Sequence, residues 1–155
     1  MKKRIQDFEN VQNALKALGA LGTYLSKSPV ERSLLDLIYF RVSQMNGCAM
    51  CLDMHSKDLR AMGESEQRLY LMDAWRDAPF YSARERAALA WAEALTRLDG
   101  MVPDATYDEA VVHFSEQELI DLTMGVITIN GYNRFNLAFT TPETVGGYKP
   151  GQYGH

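Results

Sequence analysis

The sequence predicts an all-α fold in a single domain. Four S/T-x-x-E motifs punctuate the chain. In this motif the hydroxyl accepts a hydrogen bond from a backbone N–H three residues on, and the glutamate reaches back to the cap's own N–H. Apolar residues recur between the motifs at helical spacings of three and four, and no convincing strand is present. The four motifs are Ser28…Glu31, Ser82…Glu85, Thr106…Glu109 and Ser115…Glu118.

Seven helices are predicted in order along the chain. The first carries its apolar residues at Phe8, Val11, Leu15, Leu18 and Leu21. Later helices end at typical stops, namely Asn46-Gly47, Gly63, Asp77-Ala78-Pro79 and Thr141-Pro142. The predicted ranges are about Ile5–Leu25, Pro29–Met45, Cys48–Met62, Glu66–Trp75 and Ala83–Leu98, then a short helix from Tyr107 and a long one over Glu116–Phe139.

One segment within the last helix is the place where a strand is conceivable. Residues 125–129 form the β-branched run Gly-Val-Ile-Thr-Ile. The capping motif at Ser115 precedes this run and the polar segment Asn133-Arg134-Phe135-Asn136 follows it, and both favour a helix.

The 155 residues suit one domain, which we place at residues 1–142. Residues 143–155 hold four glycines and Pro150. We therefore expect an irregular C-terminal tail that packs only against a neighbouring subunit.

Composition argues against several classes of partner. The formal net charge is −4 and basic residues are scattered, so neither nucleic acid nor an anionic membrane is an expected partner. No run of eighteen apolar residues predicts a transmembrane helix. Gln6 and Asp7 interrupt the segment after the basic start, so no signal peptide is predicted and the expected location is cytoplasmic. In that compartment a cysteine pair is more often catalytic or metal-binding than structural.

The two cysteines lie in the most informative stretch of the sequence. Cys48 and Cys51 are three residues apart and His55 follows four residues later, so one helix places all three on one stripe. In the first turn of that helix the free N–H groups and the helix dipole lower the pKa of a thiol, which favours Cys48 as the more acidic one. His55 can exchange a proton with Cys51 near neutral pH, and the two sulfurs can cycle between dithiol and disulfide.

Asp36 is a fourth candidate catalytic residue. If the chain reverses at Asn46-Gly47, Asp36 lies about 10 residues before the turn and His55 about 8 after it, at similar heights on the hairpin at ~1.5 Å per residue. A carboxylate there would orient the imidazole, directly or through a water, in a relay of Asp36, His55 and Cys51.

Other interpretations of these residues stay open. Two cysteines and a histidine offer three zinc ligands, but structural zinc takes four and no second CxxC exists. A thioredoxin-like site requires a βαβ pattern that this chain lacks. In a further interpretation the two cysteines are inert core residues, and Asp36 is a salt-bridged carboxylate. The polar series Asn130, Asn133 and Arg134 is either an interhelical network or the mouth of a thiol pocket.

The segment from Arg41 to His55, RVSQMNGCAMCLDMH, closely resembles the core of the alkylhydroperoxidase D-like (AhpD-like) proteins of the carboxymuconolactone decarboxylase superfamily. The resemblance is specific over residues 34–57 and looser through Trp91 and residues 129–134. It implies an all-α AhpD-like helical bundle, with the CxxC at the N-terminus of a central helix, that assembles as trimers or hexamers. It also implies reduction of organic hydroperoxides without metal, flavin or other cofactor.

The resemblance further implies roles for the individual residues. Cys51 is the peroxidatic cysteine and Cys48 the resolving one, which conflicts with the acidity argument above; we follow the resemblance. The family's relay glutamate falls on Asp36, which is one methylene shorter, and Met50 replaces a histidine found between the cysteines of other members. The expected partners are a small hydroperoxide and an external dithiol reductant, either a lipoyl or a thioredoxin-like protein. The alternatives are a thiol–disulfide oxidoreductase and a zinc-bound oligomeric scaffold.

Overall fold

The computed structural model describes residues 4–5, 8–139 and 144–152. Every regular element in these ranges is helical, as predicted. A 3-10 turn at Met72–Ala74 follows α4. The α-helices are α1 (Phe8–Leu25), α2 (Arg32–Asn46), α3 (Ala49–Ala61), α4 (Glu66–Tyr70), α5 (Ala83–Arg97), α6 (Asp104–His113) and α7 (Glu116–Phe139).

Helix α2 is the centre of the fold. Residues 34–43 are all buried, because α3, α5 and α7 pack around the helix. Gly125 allows α7 to approach closely, since a Cβ there would lie 3.2 Å from Cδ2 of Leu35. Burial on every side means that the polar side chains of α2 need partners inside the protein.

Two of the four predicted capping motifs form. Ser82 and Glu85 make both reciprocal bonds at the start of α5, and Ser115 and Glu118 do so before α7. The prediction for Thr106 is wrong, because α6 begins two residues earlier, at Asp104. Pro103 is the N-cap and makes no side-chain capping bond, and Thr106 lies inside the first turn, where it is not the cap.

The motif at Ser28 and Glu31 does not form either. The Ser28 hydroxyl donates to the carboxylate of Asp121 (2.6 Å), and Glu31 pairs with Arg84. These contacts with other helices use the side chains that would cap α2. The helix therefore begins at Arg32, three residues later than predicted.

The other differences lie at helix ends. The first helix begins at Phe8, and residues 6–7 of its predicted start lie outside the described residues, as does the predicted stop at Thr141-Pro142. The predicted fourth helix divides into α4 and the 3-10 turn. Residues 125–129 are helical, as the flanking signals indicated.

The described part of the C-terminal tail, residues 144–152, packs on α3 of its own chain, which corrects the expectation that the tail contacts only a neighbouring subunit. Tyr148 is buried, and its hydroxyl donates to the carboxylate of Asp58, 2.9 Å from either oxygen. The ammonium of Lys57 donates to the carbonyl oxygens of Gly146 (2.9 Å) and Tyr148 (3.1 Å). These bonds tie residues 146–148 to the helix that carries Cys51.

None of the helices in the described ranges is long and apolar enough to cross a membrane.

Candidate active site

The turn between α2 and α3 places the first cysteine. Gly47 is left-handed (φ 68°), a conformation that glycine adopts without strain. Its N–H donates to the carbonyl oxygen of Gln44 (3.1 Å), and the N–H of Cys48 donates to that of Ser43 (3.1 Å). This pair of bonds is a Schellman motif, which ends one helix and turns the chain into the next.

Cys48 is the N-cap of α3, one position before the first turn in which it was expected. Its carbonyl oxygen accepts the first helical bond, from Leu52 (2.9 Å), but its side chain makes no capping bond. Cys48 and Cys51 are joined as a disulfide, with their Cα atoms 5.4 Å apart. Each cysteine is only 1% exposed.

An amide network holds this turn against α7. Nδ2 of Asn46 donates to Oδ1 of Asn130 (2.9 Å) and of Asn133 (2.8 Å). Asn133 in turn donates to the hydroxyl of Ser43 (3.0 Å), and Arg134 donates to Oδ1 of Asn130 (2.6 Å). The polar series of α7 is therefore an interhelical network, and it fixes the residues that immediately precede Cys48.

The imidazole of His55 lies opposite Asp36 of α2. His55 Nδ1 is 3.6 Å from Asp36 Oδ1, which is too long for a hydrogen bond but short enough for an ion pair when the ring is protonated. Both residues are buried, at 3% and 1% exposure. The register argument thus correctly placed Asp36 beside His55.

Arg32, which sequence reasoning missed, holds the same carboxylate with two bonds. Its Nε donates to Oδ2 of Asp36 (2.8 Å) and its Nη2 donates to Oδ1 (3.1 Å). Burial by itself would raise the pKa of Asp36, but the approach of His55 and the bonds from Arg32 outweigh it and hold this pKa below its usual value. The i, i+4 spacing of Arg32 and Asp36 was the available signal.

Both ring nitrogens of His55 are buried without a hydrogen-bond partner. The ring of Tyr39 lies against the imidazole, with centroids 5.3 Å apart. Burial raises the pKa of Tyr39, so its hydroxyl stays neutral. A buried, unpartnered imidazole beside a carboxylate is able to accept and return a proton.

Asn136 of α7 is a second residue that sequence reasoning missed. Its Nδ2 donates to Sγ of Cys51 at 3.3 Å. The two residues are 85 positions apart and no local pattern connects them. A donor at this position stabilises negative charge on the sulfur of Cys51.

No three histidine, cysteine, aspartate or glutamate side chains converge on a metal-binding geometry within the described parts of the chain. The zinc interpretation therefore finds no complete ligand set there, and the C-terminal histidine, His155, lies outside the described residues.

Comparisons with known proteins match the chain to a family model and to a bacterial relative. A model of the carboxymuconolactone decarboxylase family matches residues 9–94. YdfG of Bacillus subtilis (strain 168), an uncharacterized protein, is 40% identical over 139 residues, which cover 89% of this chain and 95% of YdfG.

Two solved structures share the fold. ATU0492 of Agrobacterium tumefaciens, of unknown function and proposed to serve in AhpD-type antioxidant defence, is 37% identical with a TM-score of 0.84, over 96% of this chain and 99% of that one. The debrominase Bmp8 is 23% identical with a TM-score of 0.69, over 79% of this chain and 66% of its own. The second similarity concerns the fold alone, and it shows that enzymes use this fold.

Proposed function

The chain belongs to the carboxymuconolactone decarboxylase family and is AhpD-like, and from this premise we propose that it is a thiol peroxidase that reduces organic hydroperoxides. The observation that carries the proposal is the Cys48–Cys51 disulfide at the start of α3, on the same helix as an unpartnered buried histidine. Catalysis needs a sulfur nucleophile, a second thiol and a proton carrier, and these residues supply all three.

In the proposed cycle His55 takes the proton of the Cys51 thiol, and the resulting thiolate attacks the terminal oxygen of the hydroperoxide. An S–O bond forms and the O–O bond breaks, which leaves a sulfenic acid on Cys51 and an alkoxide. The imidazolium of His55 gives its proton to the alkoxide, which leaves as an alcohol. The thiol of Cys48 then condenses with the sulfenic acid, releasing water and forming the disulfide, which an external dithiol reduces.

The burial of the sulfurs favours a small oxidant over a protein disulfide. Both cysteines are 1% exposed, so the site must open for every reactant, and a small hydroperoxide requires a smaller opening than a folded protein substrate or a protein reductant does. A hydroperoxide needs only a transient opening. This contrast supports peroxidase activity over thiol–disulfide oxidoreductase activity, and a comparison of cumene hydroperoxide with insulin as substrates separates the two.

The proposal includes the partners and setting expected from the family. The reductant is a lipoyl or thioredoxin-like dithiol, the protein is a homo-oligomer, and its location is cytoplasmic. Light scattering after size exclusion tests the assembly, since a monomer at micromolar concentration contradicts it.

Stopped-flow mixing of the reduced protein with cumene hydroperoxide tests the activity. We expect rapid loss of two thiols per chain, and no peroxide consumption by Cys51→Ser. The His55→Ala variant should lose the neutral-pH dependence of the rate, whereas His113→Ala, a matched change on the far helix α6, should keep it. Thiol loss no faster than that of a free thiol, or a Cys51→Ser variant at wild-type rate, contradicts the proposal.

A further inference from the structure

Arg32 occupies an unusual position for a partly exposed side chain. It is the first residue of α2, and its side chain is 40% exposed, yet it reaches a carboxylate that is 2% exposed. Both oxygens of Asp36 accept from it, in the two-bond geometry that a guanidinium provides and an ammonium does not.

Asp36 Oδ1 lies between the guanidinium of Arg32 and the imidazole of His55. It accepts a hydrogen bond from Arg32 at 3.1 Å, and it is 3.6 Å from Nδ1 of His55. Arg32 supplies a permanent positive charge and two hydrogen bonds to the carboxylate. The imidazole therefore lies beside Asp36 without being required as its counter-ion, and both of its nitrogens remain unpartnered.

We propose that Arg32 is a positioning residue of this site, which neutralises and orients Asp36 so that the imidazole of His55 stays free to exchange a proton at neutral pH. This inference rests on the proposed function, because a peroxidase cycle requires His55 to take up and release a proton in every turnover. Without Arg32, the buried carboxylate would recruit a protonated His55 as its counter-ion and retain that proton.

Several other titratable groups surround the pair. Tyr39 on α2 and Asp58 on α3 interact electrostatically with Arg32, and Tyr132 of α7 interacts with Tyr39. Tyr148 of the tail donates to Asp58. The tyrosines stay neutral at pH 7, and Asp58 carries its own partners, so Arg32 is the fixed cation that balances Asp36.

An NMR titration of the His55 ring tests this inference in the disulfide form. The chain has three histidines, and the His55 signal is identified by its absence from the His55→Gln variant. In Arg32→Gln the midpoint of the His55 titration should move to higher pH by about one unit, because Arg32 no longer competes with the imidazolium for the carboxylate of Asp36. Arg32→Lys, which retains the positive charge, should restore most of the wild-type midpoint.

Two further variants make the result specific. Arg97→Gln is the matched control, since Arg97 is 52% exposed and pairs at i, i+4 spacing with the buried Glu93, which keeps its other partners. It should leave the His55 midpoint unchanged. The double variant Arg32→Gln/Asp36→Asn should lose the upward shift, because no carboxylate remains to hold the imidazolium.

An unchanged midpoint in Arg32→Gln overturns the inference, and so does an equal shift in Arg97→Gln or in the double variant. Arg32→Met repeats the test should the glutamine variant not fold. Failure of the proposed function is distinguishable from failure of this inference. A wild-type protein that does not consume cumene hydroperoxide refutes the peroxidase, while the titration still decides what Arg32 does to His55.

Discussion

Replacing Asn136 by leucine should reduce the reactivity of Cys51 and leave that of Cys48 unchanged. Asn136 donates to Sγ of Cys51 at 3.3 Å. In the reduced protein the same donor would lie against the thiolate of Cys51, which is the proposed nucleophile. Leucine has a similar size and cannot donate.

The magnitude follows from the value of one hydrogen bond to a charged acceptor. Such bonds contribute about 1.5–3 kcal/mol, and sulfur is a weak acceptor, so a value near the lower limit applies here. A change of about 1.4 kcal/mol corresponds to one pKa unit. We therefore expect about tenfold less thiolate at Cys51 near neutral pH, and a peroxide rate that falls by a similar factor.

Single-thiol backgrounds make the assay site-specific. The rate of iodoacetamide alkylation is measured against pH in Cys48→Ser, which reports Cys51, and in Cys51→Ser, which reports Cys48. Adding Asn136→Leu should move the alkylation midpoint to higher pH by about one unit in the first background and leave the second unchanged. Unchanged midpoints in both refute the reasoning, and a shift only at Cys48 assigns the acidic thiol to that residue instead.

Three further predictions concern stability. Burial and the bond to Asp58 raise the pKa of Tyr148 to about 12, so its stabilising contribution is complete below the ordinary tyrosine value of about 10 and is lost as the pH rises toward 12. Burial raises the pKa of Tyr39 as well, so Tyr148→Phe should remove one late-ionising group from a tyrosinate absorbance titration and keep another, and an unchanged late amplitude contradicts the contact. Asn46→Ala removes two bonds to α7 and should lower the free energy of unfolding in urea by about 2 kcal/mol, whereas a loss near zero would mean that the network does not secure the turn. Ser82→Ala should cost about 1 kcal/mol and Thr106→Ala less than about 0.5 kcal/mol, and equal losses contradict the assignment of the cap.

The fold was predictable because its signals are local. Apolar spacings, capping motifs and stop residues together located the seven helices of the described residues, and the bounds of α7 were predicted correctly. The late start of α2 arises because residues that are able to cap a helix also bond to distant groups. Ser28 bonds to Asp121, 93 residues away, and no property of residues 28–31 indicates that partner.

The candidate site was predictable only where its residues lie on one helix or on one helical hairpin. Cys48, Cys51 and His55 share one helix, so their grouping follows from sequence spacing. Asp36 followed from the register of one helical hairpin. Asn136 reaches Cys51 from a helix whose placement depends on the whole core, and no reasoning from spacing finds such a partner.

Hydrogen bonding in the interior sets His55 apart from the other buried polar groups. Each buried carboxylate has donors: Asp36 has Arg32, Glu93 has Arg41 and Trp75, Asp58 has Tyr148, and Asp121 has Ser28 and Tyr24.

Among the described residues, the two ring nitrogens of His55 are the only buried side-chain nitrogen or oxygen atoms without a partner. A buried polar group left unpaired costs about 1–3 kcal/mol, a cost that a leucine or phenylalanine at position 55 would not incur. The protein satisfies its buried carboxylates and leaves this one imidazole unpaired, on the same helix as its only two cysteines. It therefore retains hydrogen-bonding capacity where a reactant needs it. The same comparison explains why Arg32 matters, because its two bonds to Asp36 keep the carboxylate from using that capacity.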